Sequence, residues 1–250
     1  MRLRRFSLVL LLSLGSVALH AQDLATTCHA TSSYDLTLAP DHLLFDRPQP
    51  MPHRVELRDG NLRTDGANVQ LRAEDQDRLA LFERDLRALE PRAKAVATRG
   101  VDLLASAMHD EGTRLSLDSD TRAELDRRVA ARAAEFKQRI VASHSTHDWQ
   151  GNLADQYANQ LASDLMPLLA NDLGQQALNA AMTGDLQAAA NLRDTAADLT
   201  TQLRPRLEQR MQALAPQIQA LCPAVQQLAE LQQGIRGADG QPLNLLQVGQ

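Results

Sequence analysis

Val55-Glu56-Leu57-Arg58-Asp59-Gly60-Asn61-Leu62-Arg63-Thr64-Asp65-Gly66, with Val69-Gln70-Leu71 close behind, alternates apolar and polar residues around two Asp-Gly pairs. Period-2 alternation gives strands with one buried face, and glycine supplies the positive φ a tight turn requires. Two such turns this close together predict a small β meander. Upstream, Tyr34, Leu36 and Leu38 alternate with polar residues, and Pro40, Pro48, Pro50 and Pro52 break up the stretch between them and Val55. Residues 30–72 therefore read as β and turn. A meander this small is marginal alone, so it should pack on a helix.

From Glu74 the period becomes helical. Leu79, Phe82, Leu86, Leu89, Ala93, Val96, Gly100, Leu103 and Ala107 recur at spacings of three and four, a heptad-like seam interrupted by Pro91, which predicts a kink or a fresh start. Thr121-x-x-Glu124 resembles a capping box ahead of Leu125, Val129, Ala133, Phe136 and Ile140. A third helix carries Trp149, Leu153, Tyr157, Leu161, Leu165 and Leu168, with a weaker Ala- and Gln-rich stretch to about Gly184. The last region, Leu192 to Leu228, keeps its seam while Pro205 and Pro216 predict bends. The fold class is mainly α with a small N-terminal β meander (α+β), an elongated bundle of long amphipathic helices spanning 74–233. Gly, Pro, Asn and Gln then predict a flexible tail over 234–250.

The beginning of the chain sets its solvent. Arg2, Arg4 and Arg5 precede the apolar run Phe6 to Leu19, and Ala21 stands where a signal peptidase would cut. The run is too short to span a bilayer as a retained anchor. Residues 1–21 read as a signal peptide and 22–233 as a single domain, delivered to the periplasm of a Gram-negative cell. The formal charge is −5; without the three leader arginines it falls to about −8, which disfavours nucleic acid as a partner. Only 3% of residues are aromatic, so stacking platforms are scarce.

Cys28 and Cys222 are the only cysteines, and an even count in an exported chain favours one disulfide. The alternative is two separate thiols, one of them redox-active. Neither cysteine lies in a Cys-x-x-Cys motif or beside a basic cluster that would lower its pKa.

The chemistry-bearing candidates are few. His144 and His147, three apart and followed by Asp148, would approach one another on a helix, yet Ser143 to Asp148 reads as a polar connector with Asp148 as an N-cap. The acids Asp102, Asp110, Glu111, Asp118 and Asp120 fit the solvated face of amphipathic helices. No nucleophile-elbow or phosphate-loop pattern is present, and no cofactor is implied. The long seam through Leu203, Leu207, Met211, Leu214 and Ile218 reads either as core or as a surface for a homodimer or a helical envelope partner.

Leu62-Arg63-Thr64-Asp65-Gly66, Val69-Gln70-Leu71, Gln76, Phe82, Asp85-Leu86-Arg87 and Pro91 together resemble the YggN-like family of proteobacterial periplasmic proteins of unknown function. That family resembles this chain in its leader, early cysteine, Asp-Gly turns, long helices and a late cysteine, here within Cys222-Pro223-Ala224-Val225. The resemblance implies location and layout and no activity. The expectation is a soluble, non-enzymatic periplasmic protein that works through helical surfaces. The alternatives are a module binding an apolar ligand or peptide, or a hydrolase using His144, His147 or a nearby acid.

Overall fold

The computed structural model describes residues 27–149 and 153–249. The leader lies outside them, as do the side chains of Trp149, Leu153, Tyr157 and Leu161. The chain runs β1 (Ala30–Thr31), β2 (Asp35–Leu38), β3 (Leu43–Asp46), β4 (Arg54–Arg58), β5 (Asn61–Thr64) and β6 (Ala67–Val69). Then come α1 (Ala73–Arg114), α2 (Ser119–Ala142), α3 (Leu153–Met182), α4 (Leu186–Met211), α5 (Ala215–Gln219), α6 (Cys222–Gln232) and β7 (Gln247–Val248). Short 3-10 turns occupy Thr146–Trp149 and Gln212–Leu214.

β2 to β6 form an antiparallel meander in sequence order. Both Asp-Gly pairs make its turns: Asp59 and Gly60 have φ of 50° and 76°, Asp65 and Gly66 of 48° and 84°. Positive φ at both central positions matches the right-handed strand twist. Alternation then sends Val55, Leu57 and Leu62 to one face, where they join Leu43, Phe45, Leu79 and Phe82 in a buried cluster. Phe45 lies between Tyr34, edge-on at 6.3 Å, and Phe82 at 6.2 Å. β3 is a strand that the alternation in the sequence does not mark.

α1 is 42 residues long and passes through Pro91 without ending, where a kink or fresh start was expected. At 1.5 Å per residue it spans about 60 Å, long enough to serve two cores. Its first half packs on the sheet and α6; its second half joins α2, α3 and α4 around Met108, Leu125, Val129, Leu165, Leu169, Leu173 and Leu199. α2 returns antiparallel along α1. Lys94 Nζ donates to the carbonyls of Val141 (3.0 Å) and Ser143 (2.5 Å) at its C-terminus, and Lys137 pairs with Asp102 at 2.6 Å. Asp118, rather than the expected Thr121-x-x-Glu124 box, caps α2: its Oδ1 accepts from the amides of Asp120 (2.8 Å) and Thr121 (2.9 Å). Glu124 is instead held by Arg127 and Arg128.

Pro205 sits inside α4 without ending it, whereas the chain does break before Pro216, at the start of α5. The tail corrects the sequence expectation. Ile235, Leu243 and Leu245 are almost fully buried, and β7 pairs with β1. Gln232 fixes the path from inside, its Oε1 accepting from the Leu245 amide at 2.7 Å and its Nε2 donating to the Leu246 carbonyl. Three apolar anchors suffice to dock a segment whose remaining composition is that of a loop. Cys28 and Cys222 are disulfide-bonded, with Cα atoms 5.1 Å apart.

Candidate docking surface

His144, His147 and Asp148 are not gathered into a metal site. Their segment straps the outer edge of the sheet at β2. The Leu38 amide donates to the His144 carbonyl (2.8 Å) and the Leu36 amide to Thr146 Oγ1 (2.8 Å). Asp148 Oδ2 accepts from the amides of His144 and Ser145, both at 3.2 Å, and so closes the turn before it; residues 150–152, which the expected N-cap would serve, lie outside the described residues. His147 is exposed, 3.9 Å from Asp35. Among the described residues no group of three His, Cys, Asp or Glu side chains is placed to hold a metal ion.

The seam proposed from sequence as an interaction surface is turned inward. Leu203 and Leu207 pack against the α1–α3 core, and Leu214 is buried. Met211 and half-buried Ile218 continue the same line. A Cβ at Gly100 of α1 would stand 3.1 Å from Leu214 Cδ1 and 3.3 Å from Met211 Cε, so these helices meet at a position kept open by glycine. Arg206 to Glu111 (3.0 Å) and Arg210 to Asp110 (2.9 Å) fix the crossing. This seam is core.

A different apolar surface is left uncovered. α3 is pinned to the α1–α2 connection at Asp172 and Gln176. Thr121 Oγ1 lies 3.0 Å from Asp172 Oδ1, and Gln176 Nε2 donates to Asp172 Oδ2 (2.7 Å) and to the Ser116 carbonyl (3.4 Å). α1 ends and α2 begins at that level, while α3 continues to Met182, about 9 Å farther. The α3–α4 hairpin therefore overhangs its neighbours. On it Leu178 is 53% exposed, Met182 75% and Leu186 72%; the other exposed large apolar residues among those described are Met51, Leu81 and Val141.

The turn satisfies its own backbone. The amides of Gly184 and Asp185 donate to the carbonyls of Ala181 (3.1 Å) and Ala180 (2.9 Å), Gly184 has φ of 83°, and Asp185 Oδ1 accepts from the Ala188 amide at 2.9 Å. Down the same exposed side of α3 stand Ala170 and Gly174. Between Asp172 and Arg193 the one charged residue is Asp185. The sequence signal for this surface is the lack of Lys and Arg from Ile140 to Leu192 in an otherwise arginine-rich chain. Apolar periodicity does not mark it.

At the foot of the overhang Asp172 is buried, and burial together with its hydrogen bond to Asp118 pushes its carboxyl up. That same bond, with the Thr121 amide and hydroxyl, holds Asp118 far below the usual carboxylate range. The pair ties α2's first turn to α3. A second buried acid, Glu83 of α1, lies under the β4–β5 turn. Desolvation raises it against the opposing amides of Asp59 and Gly60, and its Oε1 has no hydrogen-bond partner among the described residues.

On the sheet, an open concavity of about 640 Å³ is lined by Met51, His53, Arg54, Glu56, Arg63, Asp65 and Gly66. Its wall is ordered by Arg47, which lies 4.0 Å over the Tyr34 ring and donates to the carbonyls of Pro52 (3.1 Å) and Met51 (3.0 Å). The lining is largely charged, unlike the apolar groove an acyl ligand would need.

The architecture is thus that of an α+β protein with a disulfide-closed sheet end and a helical end carrying a bare hairpin tip. The chain belongs to a family of proteins of unknown function, DUF2884, whose family model matches residues 28–245. That match begins at Cys28, takes in Cys222 and ends at the buried Leu245. No curated protein and no solved structure matches the chain.

Proposed function

We propose that this is a periplasmic protein of the YggN-like group, non-enzymatic, acting in the cell envelope by docking through its α3–α4 hairpin. The leader pattern and a disulfide that needs an oxidising compartment support the location. The single observation that carries the docking reading is the overhang itself: Leu178, Met182 and Leu186 flank the hairpin turn, exposed and with only Asp185 charged among their neighbours in sequence. Exposed apolar surface of this kind marks interaction sites, because water disfavours leaving it bare. Among the described residues no helix is long and apolar enough to cross a membrane.

Site-specific photo-crosslinking in cells tests the reading. A photoreactive residue at Met182 gives a discrete adduct that Leu178→Glu abolishes, while the same residue at exposed Met51 gives none. Equal labelling at both positions, or none at either, contradicts it.

A further inference from the structure

The hairpin suits one occupant best. Leu178 and Met182 are four residues apart on α3, and Gly174 and Ala170 continue the same row. A row of i, i+4 residues forms a ridge that packs into the groove beside the equivalent ridge of another helix. About a two-fold axis, Leu178 of one copy lies beside Met182 of the other and the reverse, so the row complements itself. A Cβ at Gly174 would meet nothing within 4 Å, leaving room for a second helix to approach.

Charge points the same way. A second copy brings the same charges to the same places, and the chain carries −5 overall. Like charges placed opposite one another are unfavourable across an interface. From Leu173 to Leu192 only Asp185 is charged, and it sits in the turn rather than on the ridge. A lipid surface suits this tip less well, since the same residues include no Lys, Arg, Trp, Tyr or Phe.

We infer that a second copy of this chain covers the α3–α4 overhang, in an antiparallel, two-fold contact centred between Leu178 and Met182. This rests on the docking reading and names its partner. Three apolar side chains and the small residues beside them supply less than the ~800 Å² per partner of a standard interface. The dimer is therefore reversible and concentration-dependent.

Sedimentation velocity on the mature, disulfide-bonded protein, from micromolar to several hundred micromolar, is the test. The native protein shifts from monomer toward dimer. Leu178→Glu and Met182→Glu each raise the half-dimerisation concentration at least tenfold without changing the thermal midpoint, and Met51→Glu dimerises like native. Ala181→Cys, beside the axis, gives a covalent dimer on a non-reducing gel. A native protein monomeric throughout, or variants that dimerise unchanged, overturns the inference. Leu178-dependent binding of a monomer to phosphatidylethanolamine/phosphatidylglycerol vesicles overturns the second copy and leaves the docking reading standing. The docking reading itself falls only with the crosslinks at Met182.

Discussion

Gly60 and Gln76 stand backbone against backbone: a Cβ on Gly60 would overlap the carbonyl oxygen of Gln76. This contact seats the β4–β5 turn on the first turn of α1. It adds to the apolar cluster that holds the meander, marginal by itself, on α1.

Gly60→Ala therefore carries two penalties. Its φ of 76° disfavours any side chain, and the added methyl must push sheet and helix apart. The expected loss is about 2 kcal/mol or more, read by urea unfolding. Gly66, with a φ of 84° but open space around it, costs only the conformational part, about 1 kcal/mol on Gly66→Ala. Equal losses at the two positions would contradict the close approach.

The seam and the overhang respond oppositely to substitution. Leu214→Ala opens a cavity at the α1 crossing and is expected to cost about 3 kcal/mol. Leu178→Glu, on exposed surface, stays within about 0.5 kcal/mol. Chemical denaturation of both variants checks the contrast, and a Leu214→Ala variant as stable as native would return that seam to the surface.

Glu83 gives a pH dependence with a definite sign. Its folded-state pKa is raised by burial, so the native state favours the protonated form. Its penalty is absent below the unfolded pKa and grows as pH rises from there through the raised folded value. Glu83→Gln resembles the protonated acid at every pH. Its thermal midpoint therefore matches native in acid and exceeds it near neutrality. A difference independent of pH between acid and neutral conditions would contradict the assignment.

Much of this fold is legible in the residues. The Asp59-Gly60 and Asp65-Gly66 turns, the change of period at Glu74 and the Cys28–Cys222 pair all appear where local chemistry places them. β3 was hidden because Leu43, Leu44 and Phe45 form an unbroken apolar run between prolines, so alternation is invisible. The tail reads as flexible because Ile235, Leu243 and Leu245 are spaced by loop residues, and only tertiary packing shows that they are anchors. The candidate site was the least legible. Periodicity marks the stripe through Leu207 and Leu214 but not the packing that covers it, and it does not mark Leu178 and Met182, left bare by where α1 and α2 end.

The disulfide closes a loop across 194 residues and ties the start of β1 to α6. In the chain-entropy account a loop of this length contributes about 5 kcal/mol. The variant with both cysteines replaced by serine should lose a large part of that in urea unfolding and release β1 and β7 first, seen as faster amide exchange at Ala30 and Val248. Loss of stability without local exchange at those strands would contradict the account.

Location and covalent closure both require a chain that has been exported and oxidised. The direct measurement is the intact mass of the protein isolated from its native cells, unfolded without reductant in the presence of an alkylating agent. A mass corresponding to Gln22–Gln250 with no alkyl group added is the predicted result. A chain still carrying Met1, or one taking up two alkyl groups at Cys28 and Cys222, would contradict it.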